Sequence, residues 1–205
     1  MTEPVENQMT FPALQAARKN GDETFSLSGN PLDLRLSAFW QWSASDLVSN
    51  ATRGVLAEFL VASALGLAGG VRAEWDAFDI LLADGTRIEV KSAAYLQSWA
   101  HAKLSNISFS IRPTLAWNSQ TNQLSSELRR QADIYVFCLL THQEKNTLDP
   151  MKLEQWEFYL LHSARLDEHF PTQKTIGLSS LLKLEPIAAK FEDLAESIHR
   201  LAREK

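Results

Sequence analysis

The sequence predicts a single α/β domain with a mixed central β-sheet flanked by helices, and three stretches carry that expectation. Residues 75–97, WDAFDILLADGTRIEVKSAAYLQ, alternate apolar and polar side chains on both sides of Asp84-Gly85, the pattern of two strands joined by a tight turn. Residues 134–140, IYVFCLL, are nearly all apolar, as in a central strand buried on both faces. Ahead of both, Val48, Val55, Leu56, Phe59, Leu60 and Leu65 form a broad apolar stripe at helical spacing. With 205 residues, 45% of them hydrophobic and 22% charged, the chain suits one domain with a sizeable core.

In chain order, residues 1–30 read as a polar arm broken by Pro4, Pro12, Gly21 and Gly29, and residues 31–205 as the folded domain. Leu36, Phe39, Trp40 and Trp42 form an aromatic cluster expected to pack on the core. A helix starts near Asp46, capped by Ser43 or Ser45, and is ended by Gly66 and Gly69-Gly70. After the hairpin, Ile107, Phe109 and Ile111 alternate with serines as a third strand, which Arg112-Pro113 ends. Residues 114–133 read as a polar loop followed by a helix over 124–132. Beyond the 134–140 strand, Trp156, Phe158 and Leu160 mark another strand, and a short helix lies near Leu166. A short strand or turn follows at Thr175-Ile176. Phe191, Leu194, Ile198 and Leu201 then place a closing helix against the domain.

The hairpin turn decides which side chains share a face. A two-residue loop at Asp84-Gly85 pairs Phe78 with Lys91 and Ile80 with Glu89, mixing apolar and charged groups. A three-residue loop, Ala83-Asp84-Gly85 with a left-handed glycine, pairs Phe78 with Val90 and Ile80 with Ile88. Apolar burial favours the second register, because a one-residue slip swaps the faces. That register sets Asp79 opposite Glu89, with Lys91 two residues along the same face. Opposed carboxylates, with Cβ atoms about 4.5–5.5 Å apart, repel unless protonated or bridged by a cation. Hard oxygen ligands favour Mg²⁺, Mn²⁺ or Ca²⁺ over zinc. An ammonium beside such a site can act on a water or on phosphoryl charge. The plainer reading is a solvated strand face with an ion pair between Lys91 and the carboxylates.

Asp79 followed by Glu89-Val90-Lys91 resembles the PD-(D/E)xK nuclease superfamily, with Phe78 where that superfamily's proline stands. The resemblance covers roughly residues 50–140 in element order. It implies a restriction-endonuclease-like fold and metal-dependent hydrolysis of phosphodiester bonds in DNA. By the same resemblance Asp79 and Glu89 hold Mg²⁺ or Mn²⁺, and Lys91 positions or activates the attacking water. Glu58, on the long helix, joins the metal site directly or through water; a salt bridge to Arg53 or Arg72 is the other reading of that residue. Relatives that cut duplexes often use two active sites, which makes a homodimer a candidate assembly.

Ser92, Tyr95 and Gln97 follow the motif, placed either to contact a phosphate backbone or to close hydrogen bonds at the strand end. Lys103, Arg112, Arg129 and Arg130 outweigh Glu127 and Asp133 in the least acidic part of the chain and suit phosphate contacts, or else a solvated helix face. The net charge of -5 argues against a wholly basic nucleic-acid binder while leaving room for a local positive groove. The five histidines show no ligand spacing, and glycine-rich phosphate loops and Gly-x-Ser-x-Gly elbows are absent. The lone Cys138 reads as a small buried hydrophobe. No apolar run reaches membrane-spanning length, and no signal-peptide core opens the chain. The expectation is a cytoplasmic protein. A second class of function stays open: a catalytically silent nucleic-acid-binding or assembly module that keeps the nuclease fold.

Overall fold

Alternation within the strand Ile134–Leu140 organises the molecule. Ile134, Val136, Cys138 and Leu140 enter one hydrophobic cluster, Tyr135, Phe137 and Leu139 enter another, and all seven residues are buried. The computed structural model describes residues 11, 13–74, 76–118 and 121–204. Most of the arm's first dozen residues, with Pro4 and Pro12, and residues Trp75, Ser119, Gln120 and Lys205 lie outside the described residues.

The chain begins with a hairpin, β1 (Thr24–Leu27) and β2 (Asn30–Arg35), followed by helices α1 (Leu36–Ala44) and α2 (Asn50–Ala64). Next come β3 (Ile80–Leu81), β4 (Arg87–Ala94), β5 (Ser108–Ser110), β6 (Thr114–Asn118), β7 (Gln123–Arg129) and β8 (Ile134–Leu140). The chain then forms β9 (Trp156–His162), α3 (Ser163–His169), β10 (Thr175–Gly177), α4 (Leu178–Leu182), β11 (Ile187–Ala189) and α5 (Phe191–Arg203). The main sheet runs β11-β9-β8-β4-β3. Its β4–β8 pair is parallel and its other pairs are antiparallel. The fold is therefore α/β with a mixed five-stranded sheet.

Helices α2 and α5 cover one face through Ala57, Leu60, Val61, Leu194, Ile198 and Leu201. The other face packs on Phe109, Ile111, Leu166, Ile176 and Leu181, from the β5–β10 pair and the short helices. Ile88 and Val90 of β4 belong to the first cluster and Ala93 to the second. Cys138 is fully buried, as its apolar setting predicts.

The β3–β4 hairpin adopts the three-residue loop. Gly85 has φ +84°, its N–H donates to Leu82 O at 3.0 Å, and the Leu82 N–H donates to Thr86 O at 2.9 Å. Ile80 pairs with Ile88. The expected Phe78–Val90 pair does not form. The Asp79 carboxylate accepts the Val90 N–H at 2.7 Å, so the side chain replaces the ladder, and Phe78 packs against the opposite cluster.

Three further expectations are corrected. Residues 123–129 form β7, paired with β6, and not a helix. Asn122 takes φ +53° and Asn118 Oδ1 accepts the Thr121 N–H; this turn chemistry overrides the helix-like spacing of Leu124, Leu128 and Ala132. The cluster around Trp40 does not enter the core. None of α1 is buried, and Trp42 is 85% exposed, because both sheet faces are already filled by other elements. The long helix starts at Asn50 behind Ser49, whose hydroxyl accepts the Thr52 N–H. Asp46 instead closes the preceding turn by accepting the N–H groups of Val48 and Ser49.

Candidate active site

Asp79 and Glu89 meet where the β3–β4 ladder ends. Both line a cleft of about 440 Å³, together with Glu74, Asp76 and, from the β6–β7 hairpin, Leu115 and Trp117. No basic side chain appears among the described residues lining it. Burial raises the Asp79 carboxyl first and negative Glu89 raises it further, while the Val90 N–H opposes both. The outcome is a value pushed up to about 7. A carboxyl poised near neutrality in a cleft, with a like charge as a named cause, marks a functional-site candidate.

Glu89 also borders a second cleft of about 220 Å³, lined by Lys91, Arg112, Thr114, Gln131 and Tyr135 among others. The Lys91 ammonium donates to Glu89 Oε1. In the parallel ladder Glu89 lies beside Tyr135 and Lys91 beside Phe137, so both charges share the sheet face opposite α2. Glu58 of α2 reaches Asp79 from the other direction, across a groove of about 450 Å³ that both residues line. Its carboxylate is held by Arg72, whose Nη2 donates to Oε1 at 2.9 Å and whose Nε donates to Oε2.

Among the described residues, no three histidine, cysteine or acidic side chains converge tightly enough to enclose a metal alone. Asp79 and Glu89 form a two-carboxylate donor set opening on one cleft. That set fits Mg²⁺, which is commonly bound by one or two carboxylates with retained waters and substrate phosphates.

The remaining sequence-named residues are distributed differently. Ser92 accepts from Arg53 Nε at 3.1 Å, a contact toward α2 on the sheet face away from Glu89 and Lys91. Gln97 is buried and donates to Ala94 O and Ser105 Oγ; it closes the strand end. Tyr95 is half-buried against the second cluster. Arg129 remains exposed at the base of the β6–β7 hairpin, opposite Thr114, with Glu127 3.6 Å away. Arg130 is a correction: its side chain is fully buried. Its Nε donates to Ile111 O at 2.9 Å, Nη2 to Phe170 O at 2.7 Å, and Nη1 to Asp167. It braces the interior and does not face a phosphate. Glu74, Asp76, Gln131 and Tyr135 escaped notice as cleft residues. The acidic run Glu74-Trp75-Asp76 just before Asp79 was the available signal for the first two. Tyr135 enters only through the parallel β4–β8 register, and Gln131 through its bond to Thr114 O.

The α/β domain thus gathers two carboxylates and a lysine at the end of the β3–β4 hairpin. The family model of bacteriophage T4 endonuclease IV matches residues 36–180, more than two thirds of the chain, including Glu58, Asp79, Glu89 and Lys91. The chain belongs to the bacteriophage T4 endonuclease IV family. No curated protein matches it. No helix among the described residues is long and apolar enough to cross a membrane.

Proposed function

We propose that this chain is a divalent-metal-dependent DNA endonuclease of the PD-(D/E)xK type, built on a restriction-endonuclease-like domain. One observation carries the reading. Asp79 and Glu89 share an acidic cleft whose described lining has no basic group, and Lys91 stands on the other side of Glu89. A phosphodiester entering four carboxylates is repelled unless a cation neutralises them. Membership in an endonuclease family supports the same conclusion.

Asp79 and Glu89 would hold Mg²⁺ or Mn²⁺, which when bound supplies charge neutralisation and a more acidic water. The Val90 N–H fixes the Asp79 carboxylate in position. Glu89 is shared between the acidic cleft and Lys91. The Lys91 ammonium orients the attacking water or meets charge developing on the phosphoryl group. Glu58, clamped by Arg72, supports the site through an intervening water and through its field on Asp79.

The test is cleavage of duplex, single-stranded and branched DNA with Mg²⁺ or Mn²⁺, comparing wild type with Glu89→Gln. Metal-dependent cleavage by the wild type alone is expected. Cleavage in EDTA, or equal cleavage by the variant, removes the metal-site assignment. Binding without cleavage on every DNA form establishes instead a silent binding module on the same fold.

A further inference from the structure

We infer that Arg112 is a substrate-positioning residue of this site, holding a backbone phosphate in the cleft beside Glu89 and Lys91. The inference rests on the nuclease reading and adds a residue that neither the motif nor the family match assigns.

Arg112 lies in the short connection between β5 and β6, where exposed side chains are ordinarily free to wander. This connection is held at three points by its neighbours. The Ile111 N–H donates to Lys174 O at 2.9 Å. Ile111 O accepts from Arg130 Nε at 2.9 Å, and Thr114 O accepts from Gln131 Nε2 at 2.7 Å. Arg130 and Gln131 are each only 5% exposed. Burying a guanidinium and an amide is costly unless they are hydrogen-bonded, and here both spend bonds on the backbone flanking Arg112. Pro113 restricts the residue before it to extended backbone, which removes one more freedom. The backbone on both sides of Arg112 is thus anchored, by Arg130 at Ile111 and by Gln131 at Thr114.

The arginine itself is exposed, and its guanidinium takes no carboxylate or carbonyl partner among the described residues. It lines the cleft of about 220 Å³ with Lys91, Thr114 and Tyr135. That space is several times the roughly 30 Å³ share of one water, so a phosphate group with its ester oxygens fits. Ala77, Glu89 and Thr114 line both this cleft and the larger acidic one. The two spaces therefore share a wall, one basic and one acidic. A planar guanidinium fork suits a phosphate bidentately. A strand with one phosphate on Arg112 would run along the wall that also bounds the Asp79–Glu89 cleft.

The experiment compares wild type, Arg112→Gln, Arg112→Lys and Arg200→Gln, the last on α5 against the opposite sheet face. Equilibrium binding of fluorescein-labelled 12-nucleotide single-stranded and duplex DNA is read in EDTA and in Mg²⁺ across a salt series. Melting temperature and steady-state cleavage are read alongside. Arg112→Gln is expected to weaken binding about 10-fold or more. It should lower the slope of log K against log salt by about 0.7–0.9 and raise KM far more than it lowers kcat, with melting unchanged. Arg112→Lys should restore the slope but not the full affinity, and Arg200→Gln should match wild type. Arg112→Gln binding with wild-type affinity and slope overturns the inference, as does a binding loss that tracks a fall in melting temperature. If wild type cleaves and Arg112→Gln keeps its KM, only the subsite falls. If wild type binds DNA through Arg112 yet nothing is cut, the catalytic reading falls and the subsite stands. Absence of DNA binding by wild type in either buffer overturns both.

Discussion

Lys91 is the residue on which binding and turnover separate. Its ammonium donates to Glu89 Oε1 in a half-buried setting, and neither the Val90 N–H bond to Asp79 nor the bonds of the turn involve it. Lys91→Ala is therefore expected to leave the fold intact, since partly exposed pairs contribute about 0–1 kcal/mol. Loss of one positioned electrostatic group commonly lowers the rate about 10²–10³-fold. Single-turnover cleavage measured beside the melting temperature checks both halves, and near wild-type cleavage removes the catalytic role. Asp79 carries the pH dependence. Its carboxyl lies at about 7 in the fold against an ordinary 3.8, so the folded state holds the proton more tightly than the unfolded chain does. The stabilising contribution is complete below the ordinary value and is lost as pH rises through about 7. In EDTA, wild-type melting temperature should fall between about pH 5 and pH 8 by more than that of Asp79→Asn. The asparagine keeps an oxygen for the Val90 N–H and cannot ionise. Parallel pH profiles for the two proteins would show that Asp79 does not titrate in this window.

The β3–β4 hairpin is the element that places the residues. Its glycine sits at φ +84° with no neighbouring atom within 4 Å of where a Cβ would stand, so the restraint is backbone conformation and not space. Gly85→Val should cost about 1–3 kcal/mol by denaturant unfolding, and Gly85→Asn markedly less, because asparagine tolerates the left-handed region. Equal losses for both variants would mean that crowding sets the requirement. This register was legible because only one loop length puts Ile80 against Ile88, and that choice also brought Asp79 toward Glu89. The β8 strand was legible because seven consecutive apolar residues leave little alternative. The β6–β7 hairpin was not, since Leu124, Leu128 and Ala132 mimic a helical face while the deciding turn rests on Asn118 and Asn122. Arg130 misled for a related reason: a guanidinium reads as surface charge until the fold supplies Ile111 O, Phe170 O and Asp167 around it. The acidic cleft was half legible. Asp79 and Glu89 lie on one hairpin, whereas Leu115 and Trp117 reach it only through tertiary contacts.

At the scale of the whole molecule, the native state gathers charge that the unfolded chain keeps apart. The chain is net acidic at -5, and folding brings Glu89 and Glu58 close enough to raise the Asp79 carboxyl. A divalent ion that binds between carboxylates relieves this repulsion in the folded state alone, so its binding free energy appears as stability. Two carboxylates with retained waters make a weak Mg²⁺ site. At a Kd of about 1 mM, roughly 10 mM ion adds about 1.4 kcal/mol. For a domain of this size that is a rise in melting temperature of roughly 3–6 °C. The size of the shift should follow the geometry. Glu89→Gln removes one of the paired carboxylates and should abolish most of it, while Glu58→Gln should diminish it less, because Arg72 already occupies the Glu58 carboxylate. Ionic-strength-matched NaCl should not reproduce the effect, since screening acts on all surface charge alike. Differential scanning calorimetry of the three proteins with and without Mg²⁺ makes the comparison. A shift of the same size in Glu89→Gln as in wild type would place the ion elsewhere on the surface and leave the acidic cleft without its proposed occupant.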